Sequence, residues 1–488
     1  MITKLLTSLK TPGRILTGIV TASAGFLLPI TTLASSGEES SGGHTSQAAL
    51  VLAFLGILVV LAKIAGSVAE RFKQVSVLGE LLLGIALGIP ALMGIHALDA
   101  FKTNELVMFV SELAVIVLLF QAGLESNLYE MKKVGIRALL VATVGVIAPF
   151  VLGTWVVSPW LFPEASSHFA IFLGATMTAT SVGITARVFK DLKISQTASA
   201  KIVLGAAVFD DIMGLLILAV VNGMVQSGHV SGGEIAIISI KALGFLVVSV
   251  ALGRMLAPKI GAVLSRIQSG VGMKMALALA FAFGYAYLGS VFGLAPIVGA
   301  FAAGLLLDAV HFSRFVHPKL TNEIEDALGG SQDPALNEKI RATLHEHRER
   351  HIEDLIEDFG QWFIPVFFVV TGMSVDLHTL ANPKVLIAAL VLTIAAVIGK
   401  IVSGFFAGKG SDWKVVGFGM VPRGEVGLIF ASIGKASGVI NDEAFAVLVV
   451  MIILTTFVTP IVLPRLIKKN PQAPEQSSKD AKSEIATV

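Results

Sequence analysis

The chain has 488 residues, 55% of them hydrophobic and 14% charged, with a net charge of +2. Soluble domains carry about 25% charged residues, so the quantity of apolar sequence excludes a water-soluble globular fold. Cysteine is absent, which rules out disulfides, cysteine-ligated zinc and iron–sulfur clusters, and no basic run interleaved with aromatics suggests nucleic acid as a partner.

Residues 1–46 open with Lys4, Lys10 and Arg14, continue through an apolar stretch from Ile15 to Ile30, and end in a small-residue and polar segment. That is the order of a secretory signal peptide. Pro29 interrupts the short apolar run, which favours cleavage over an additional spanning helix. From Gln47 onward, apolar runs long enough to cross a bilayer recur. About thirteen transmembrane helices are predicted, over 48–69, 76–97, 105–123, 134–157, 167–187, 198–225, 234–256, 272–290, 295–310, 359–375, 384–407, 414–437 and 443–465. The transmembrane domain is thus 47–466, an all-α polytopic membrane protein whose Gly- and Ala-rich runs suit close helix packing among lipids.

Loop charge sets the orientation. Loops after odd-numbered spans hold Arg71 and Lys73, Lys132 and Lys133, Arg187, Lys190 and Lys193, Lys259 and Arg266, and Lys409 and Lys414. Loops after even-numbered spans hold little beyond Lys102, Lys384 and Lys435. The odd loops and the C-terminus are therefore expected in the cytoplasm, with the mature N-terminus outside. A charged cytoplasmic loop covers 311–358, with a short surface helix expected around Leu336–Glu357. The tail, 467–488, is polar and expected to be disordered.

Two stretches resemble each other. Gly79-Glu80-Leu81-Leu82-Leu83-Gly84 resembles Gly299-Ala300-Phe301-Ala302-Ala303-Gly304, and Gly123-Leu124-Glu125-Ser126-Asn127-Leu128 resembles Gly372-Met373-Ser374-Val375-Asp376-Leu377. The copies begin at the second and ninth spans, an odd number of crossings apart, so they are expected to be inverted repeats. Inverted repeats mark secondary transporters, with the substrate site near the midplane at discontinuous helices.

Asp210 and Asp211 fall in the middle of the sixth span. A charge at the bilayer centre costs roughly 3 kcal/mol or more, so intramembrane acids usually mark an ion or proton path. A carboxylate that binds H⁺ when neutral and a small hard cation when ionised holds one or the other, which is the simplest physical form of exchange. The fifth span carries Thr178, Thr180 and Ser181 in a run of hydroxyls that can satisfy freed backbone groups where a helix opens. The twelfth carries Pro422, Arg423, Gly424 and Glu425, and its Pro and Gly favour a break. Lys400, inside the eleventh span, needs a carboxylate partner, and Asp211 is the candidate. Lys63 and Lys241 are read as snorkelling or cavity-facing, and Glu80 and Glu112 as structural.

Together these residues resemble the monovalent cation:proton antiporter-2 family, the bacterial Na⁺/H⁺ antiporters of the NapA and GerN kind. The matching stretches are Thr178 to Arg187, Gly205 to Asp211, and Pro422 to Gly427. The resemblance implies the NhaA/NapA-like antiporter fold of thirteen helices, with two crossed discontinuous helices and a homodimer. It implies Na⁺ and H⁺ binding at Asp211, with Asp210 as its partner and Thr180 nearby on the unwound helix. Lys400 would be the charge partner, while Arg423, Glu425 and Pro422 would stabilise the crossing. The Asp-Asp pair resembles the electrogenic branch. Monovalent cations are then the substrate and no cofactor is required. The implied place is the inner membrane, or an internal energy-transducing membrane such as a thylakoid, and the implied physiology is pH homeostasis and salt tolerance. A K⁺/H⁺ antiporter of the same fold, and a gated cation channel, are the alternatives. The loop at 311–358 departs from the family pattern; its His345, His347 and His351 titrate near neutrality on what reads as a solvated helix.

Overall fold

The structure is a computed structural model that describes residues 43–72, 74–92, 98–125, 128–195, 197–227, 232–307, 334–380 and 382–469. The signal-like segment up to residue 42, loop residues 311–333 and the tail beyond residue 469 lie outside the described residues. So do the side chains of His345, His347 and His351.

Among the described residues every regular element is helical, as a chain this apolar requires: a lone helix satisfies its own backbone in lipid. The first helices are α1 (Gly43–Arg71), α2 (Ser76–Leu92), α3 (Glu105–Glu125) and α4 (Leu128–Val151). A π-helical turn, Leu152–Val157, extends α4. Next come α5 (Ser167–Thr176), α6 (Val182–Asp191), α7 (Ala198–Ser227), α8 (Gly232–Ile267), α9 (Val271–Val291) and α10 (Pro296–Leu306). The chain ends with α11 (Pro334–Met373), α12 (Pro383–Ser403), α13 (Trp413–Gly419), α14 (Glu425–Ala436) and α15 (Asp442–Lys469).

Nine of the described helices are long and apolar enough to cross a membrane. Four more apolar helices, over Ser76–Ala91, Ser167–Thr176, Pro296–Leu306 and Val426–Ala436, are shorter. The chain is a multi-pass membrane protein. Large apolar side chains on the outer faces, such as Leu52, Trp155, Ile240 and Ile387, are exposed, as they are where the solvent is hydrocarbon.

Two predicted spans are each two helices. Between α5 and α6, residues 177–181 are not helical, and neither are 420–424 between α13 and α14. Pro422 cannot donate to a helical ladder, and hydroxyl side chains crowd the first gap. The surface helix expected at Leu336–Glu357 and the tenth span are one continuous helix, α11, of 40 residues. Nothing between Leu336 and Phe359 breaks a helix, and Ile352 and Ile356, one turn apart, are both buried, so the apolar face runs on.

The chain divides into two compact units. The first comprises Met1–Glu112, Lys133–Gly214 and Pro365–Val488; the second comprises Leu113–Lys132 and Leu215–Ile364. In the first, Phe54 stacks on Phe101 with ring centroids 4.1 Å apart, in a core with Leu58, Leu87, Val366 and Val369. A separate core gathers Ala142, Phe189, Val203, Val416, Met420 and Leu463. In the second unit α8, α9 and α10 pack together, and the Tyr285 hydroxyl donates to the Ser249 carbonyl at 3.2 Å.

The repeated glycines are closest-approach points. In the first unit, a Cβ on Gly79 would overlap the Ala65 carbonyl, and one on Gly84 would overlap the Val369 carbonyl and lie 2.8 Å from Gly372 Cα. In the second unit, a Cβ on Gly299 would overlap the Tyr285 carbonyl, and one on Gly304 would overlap the Phe120 carbonyl and lie 2.8 Å from Gly123 C. The leading glycine of each first motif, Gly79 or Gly299, meets a carbonyl fourteen residues earlier in the chain. Each second contact pairs one copy's first motif with the other copy's second motif.

Candidate functional site

The helix break at 177–181 and the one at 420–424 are joined by hydrogen bonds. The Ser181 amide donates to the Pro422 carbonyl at 2.9 Å. The Thr180 hydroxyl reaches the Met420 carbonyl at 3.4 Å, and the Thr185 hydroxyl donates to the Gly419 carbonyl at 2.6 Å. From the last helix, Thr459 donates to the Phe418 carbonyl at 2.7 Å and Thr456 to the Arg423 carbonyl at 2.6 Å. Thr178 turns to its own helix end, donating to the Ala175 carbonyl at 2.7 Å. Carbonyls that lose their helical partners at a break must find donors elsewhere, and this ring of threonines supplies them.

Arg423 is wholly buried. Its guanidinium donates to the Ala179 carbonyl on the other break and to the Ala396 carbonyl on α12 at 3.4 Å. Gly424 leaves room for Ser181, whose Oγ would lie 2.7 Å from a Cβ there. Pro422 is buried in the same link. The side chain of Glu425, the first residue of α14, lies outside the described residues.

Asp210, on α7, is 1% exposed, and Lys400, on α12, is 0% exposed. Lys400 Nζ donates to Asp210 Oδ1 at 2.9 Å. The buried ion pair therefore uses Asp210, where the sequence reading had pointed to Asp211. Consecutive residues on a helix project about 100° apart, so one carboxylate of the pair takes the contact and the other aims elsewhere. Asp211 is half-buried and adds electrostatic attraction to Lys400, and Arg423 is likewise within electrostatic reach of Asp210. Asp210 Oδ2 and Arg423 Nε are buried without hydrogen-bond partners among the described atoms.

Two acids and two bases of balanced charge thus interact around the buried Asp210–Lys400 pair. Such a set is costly to desolvate, and removing one member leaves an uncompensated charge. Among the described residues no group of three or more His, Cys, Asp or Glu side chains is arranged to hold a metal ion.

Thr185 belongs to the hydroxyl run of the fifth span, whereas the hydroxyls of Thr456 and Thr459 were not singled out from the sequence. Thr455, Thr456 and Thr459 form a polar cluster inside an otherwise apolar span, which was the available signal. Of the other ionisable groups in spans, Glu80 is buried, while Glu112, Lys63 and Lys241 are exposed.

A family profile described as "Sodium/hydrogen exchanger, transmembrane" matches residues 22–327 and 341–469. The chain belongs to the sodium/hydrogen exchanger family. This exchanger is 35% identical over 463 residues to the high-affinity Na⁺/H⁺ antiporter NhaS3 of Synechocystis sp. (strain ATCC 27184 / PCC 6803 / Kazusa), covering 87% of this chain and 92% of that one. It is 32% identical to the Na⁺/H⁺-K⁺ antiporter GerN of Bacillus cereus, covering 84% and 94%. It is 30% identical to a Na⁺/H⁺ antiporter of Enterococcus hirae, covering 85% and 98%. The exchanger shares its fold with the sodium proton antiporter MjNhaP1 of Methanocaldococcus jannaschii, at a TM-score of 0.61 and 17% identity over 86% of this chain and 97% of that one.

Proposed function

We propose that this exchanger trades Na⁺ for H⁺ across a membrane by alternating access, with Asp210 and Asp211 as the ion- and proton-binding groups. The observation that carries the reading is the wholly buried Asp210–Lys400 ion pair, with a second acid next to it, beside two interrupted helices. The relatives, all named as Na⁺/H⁺ antiporters, favour Na⁺ as the cation.

The balanced charge of the site gives the coupling its physical basis. A cation arriving at Asp211 and Asp210 adds positive charge where Lys400 and Arg423 already sit, so it is accommodated as protons leave. On the other side the order reverses. Asp211, half-buried rather than sealed, is the principal carboxylate, and Asp210 is the partner whose ion pair with Lys400 yields as the cation enters. The extra acid makes the exchange electrogenic. Thr178, Thr180 and Ser181 line the unwound stretch beside the site, and Pro422, Arg423 and Glu425 hold the opposing one. The transported ions are substrates, and no cofactor takes part.

The wider architecture follows the same reading. Nine long and four shorter apolar helices support thirteen passes if the shorter ones complete crossings together with their neighbours. The matched glycine contacts in the two units support inverted repeats, and the hydrogen bonds between the two breaks support a pair of crossed discontinuous helices. In this arrangement the C-terminus is cytoplasmic, the mature N-terminus is outside, and the exchanger works as a homodimer in the inner membrane or an internal energy-transducing one, serving pH homeostasis and salt tolerance.

One observation favours a second cation: a relative at 32% identity carries K⁺ in its name beside Na⁺. Proteoliposomes with an imposed pH gradient and a pH-sensitive dye, titrated with Na⁺, Li⁺ and K⁺ at several pH values, test both readings. Dequenching by Na⁺ at lower concentration than K⁺ is expected; a response to K⁺ with none to Na⁺ overturns the Na⁺ assignment.

A further inference from the structure

We propose that Thr456, on α15, is a positioning residue for the ion site: its hydroxyl holds the Arg423 carbonyl and thereby fixes the guanidinium that stands beside Asp210. The proposal rests on the reading that Asp210 and Asp211 bind the transported ions.

Thr456 is 4% exposed. Its Oγ1 lies 2.6 Å from the Arg423 carbonyl oxygen and 2.8 Å from the Ile452 carbonyl oxygen of its own helix. A hydroxyl has one proton to donate. The Ile452 carbonyl belongs to the middle of a helix, where the backbone amide four residues on, that of Thr456 itself, is its regular donor. Arg423 sits in the non-helical link at 420–424, where no regular ladder serves its carbonyl. The proton therefore goes to Arg423. Three residues on, Thr459 treats the Phe418 carbonyl in the same way at 2.7 Å, so α15 grips both sides of the break.

The consequence runs through Arg423. Its backbone is held by Thr456, and its guanidinium is fixed at the far end by the Ala179 and Ala396 carbonyls. Between these anchors it brings a positive charge within electrostatic reach of Asp210. Lys400 and Arg423 both interact electrostatically with Asp210, and Asp211, the next residue on the helix, acts on Lys400. Loosening Arg423 removes positive charge from beside an acid for which H⁺ and Na⁺ compete. That charge opposes both cations alike, but a loosened link also frees the acid to shift, and Na⁺, which needs several oxygen ligands at set distances, loses more than H⁺, which needs one, so more Na⁺ is needed at a given pH.

The test is Thr456→Val, which keeps the shape and loses the donor, beside Thr456→Ser, which keeps the donor. Thr393→Val is the control: Thr393 is equally buried, but its hydroxyl serves only its own helix, at the Ala389 carbonyl. Each protein is reconstituted in proteoliposomes, and Na⁺ half-saturation and maximal rate are read from pH 6 to 9. Thr456→Val is expected to raise the Na⁺ half-saturation at neutral pH about fivefold, the scale of losing one buried hydrogen bond. The profile should move about half a pH unit or more to the alkaline side, with little change in maximal rate. Thr456→Ser and Thr393→Val should follow wild type. If the valine variant does not reach the membrane, Thr456→Ala removes the same donor with less bulk. A wild-type pH profile in the valine or alanine variant, or a serine variant displaced as far as valine, overturns the proposal while leaving Na⁺/H⁺ exchange by wild type intact. Absence of Na⁺-dependent exchange in wild type overturns the reading beneath it.

Discussion

Removing Lys400 is the most revealing single perturbation of the fold. The ammonium is 0% exposed, its partner Asp210 is 1% exposed, and they meet at 2.9 Å. Breaking a buried pair by deleting one partner costs about 3–5 kcal/mol, because the other charge stays buried alone. Replacing both with neutral groups of similar shape is often close to neutral. Lys400→Met is therefore expected to lower stability by about 3–5 kcal/mol. Asp210→Asn/Lys400→Met should recover at least half of that loss. Asp210→Asn alone also strips a counter-charge from Arg423, so the lysine variant is the cleaner arm of the cycle. Thermal unfolding of the purified proteins in detergent, followed by intrinsic fluorescence, reads the coupling. A double variant no more stable than the sum of the two singles would show that the pair is not an interacting unit and would refute the charge-balance argument.

Gly84→Ala would drive a methyl into the Val369 carbonyl with Gly372 Cα 2.8 Å away. It should destabilise by about 1–3 kcal/mol or more, whereas Gly56→Ala, which meets nothing within 4 Å, should be neutral or slightly stabilising by the same unfolding assay. Asp376 caps the turn after α11. Partial burial pushes its carboxyl up, but the Thr379 hydroxyl and the His378 and Thr379 amides, with the His378 charge, outweigh that and hold it below its ordinary value. Its folded form thus titrates below its unfolded one, so the cap is fully stabilising above about pH 4 and is lost as pH falls through the lower folded value. The difference in unfolding temperature between wild type and Asp376→Asn should be full at pH 5 and shrink in more acid solution.

Much of this was legible in the sequence because lipid imposes strong rules. Apolar runs located the nine long helices, and the Asp210-Asp211 pair stood out because no apolar span needs it. Pro422 and Gly424 lie in a stretch that is not helical, for the local reason that a Pro removes a donor. The continuity of α11 was hidden by composition: the charged residues before Phe359 read as a separate surface helix, although no breaker divides them from the span. Which acid meets Lys400 was not legible either. Adjacent residues on one helix differ only in azimuth, and azimuth is set by packing around α7 and α12. The threonine ring was missed because single hydroxyls in apolar spans usually serve their own helix, as Thr393 does. Only the tertiary fold shows that Thr456 and Thr459 reach across to another one.

We propose that the exchanged ions bind at the paired acids of α7, with Asp211 the principal one. Na⁺-driven proton movement by Asp211→Asn in proteoliposomes, with correct folding checked by unfolding temperature and matched protein per vesicle, tests it most directly. Exchange should fall to the level of empty liposomes while the protein stays folded. Exchange at the wild-type rate would place the ion site elsewhere.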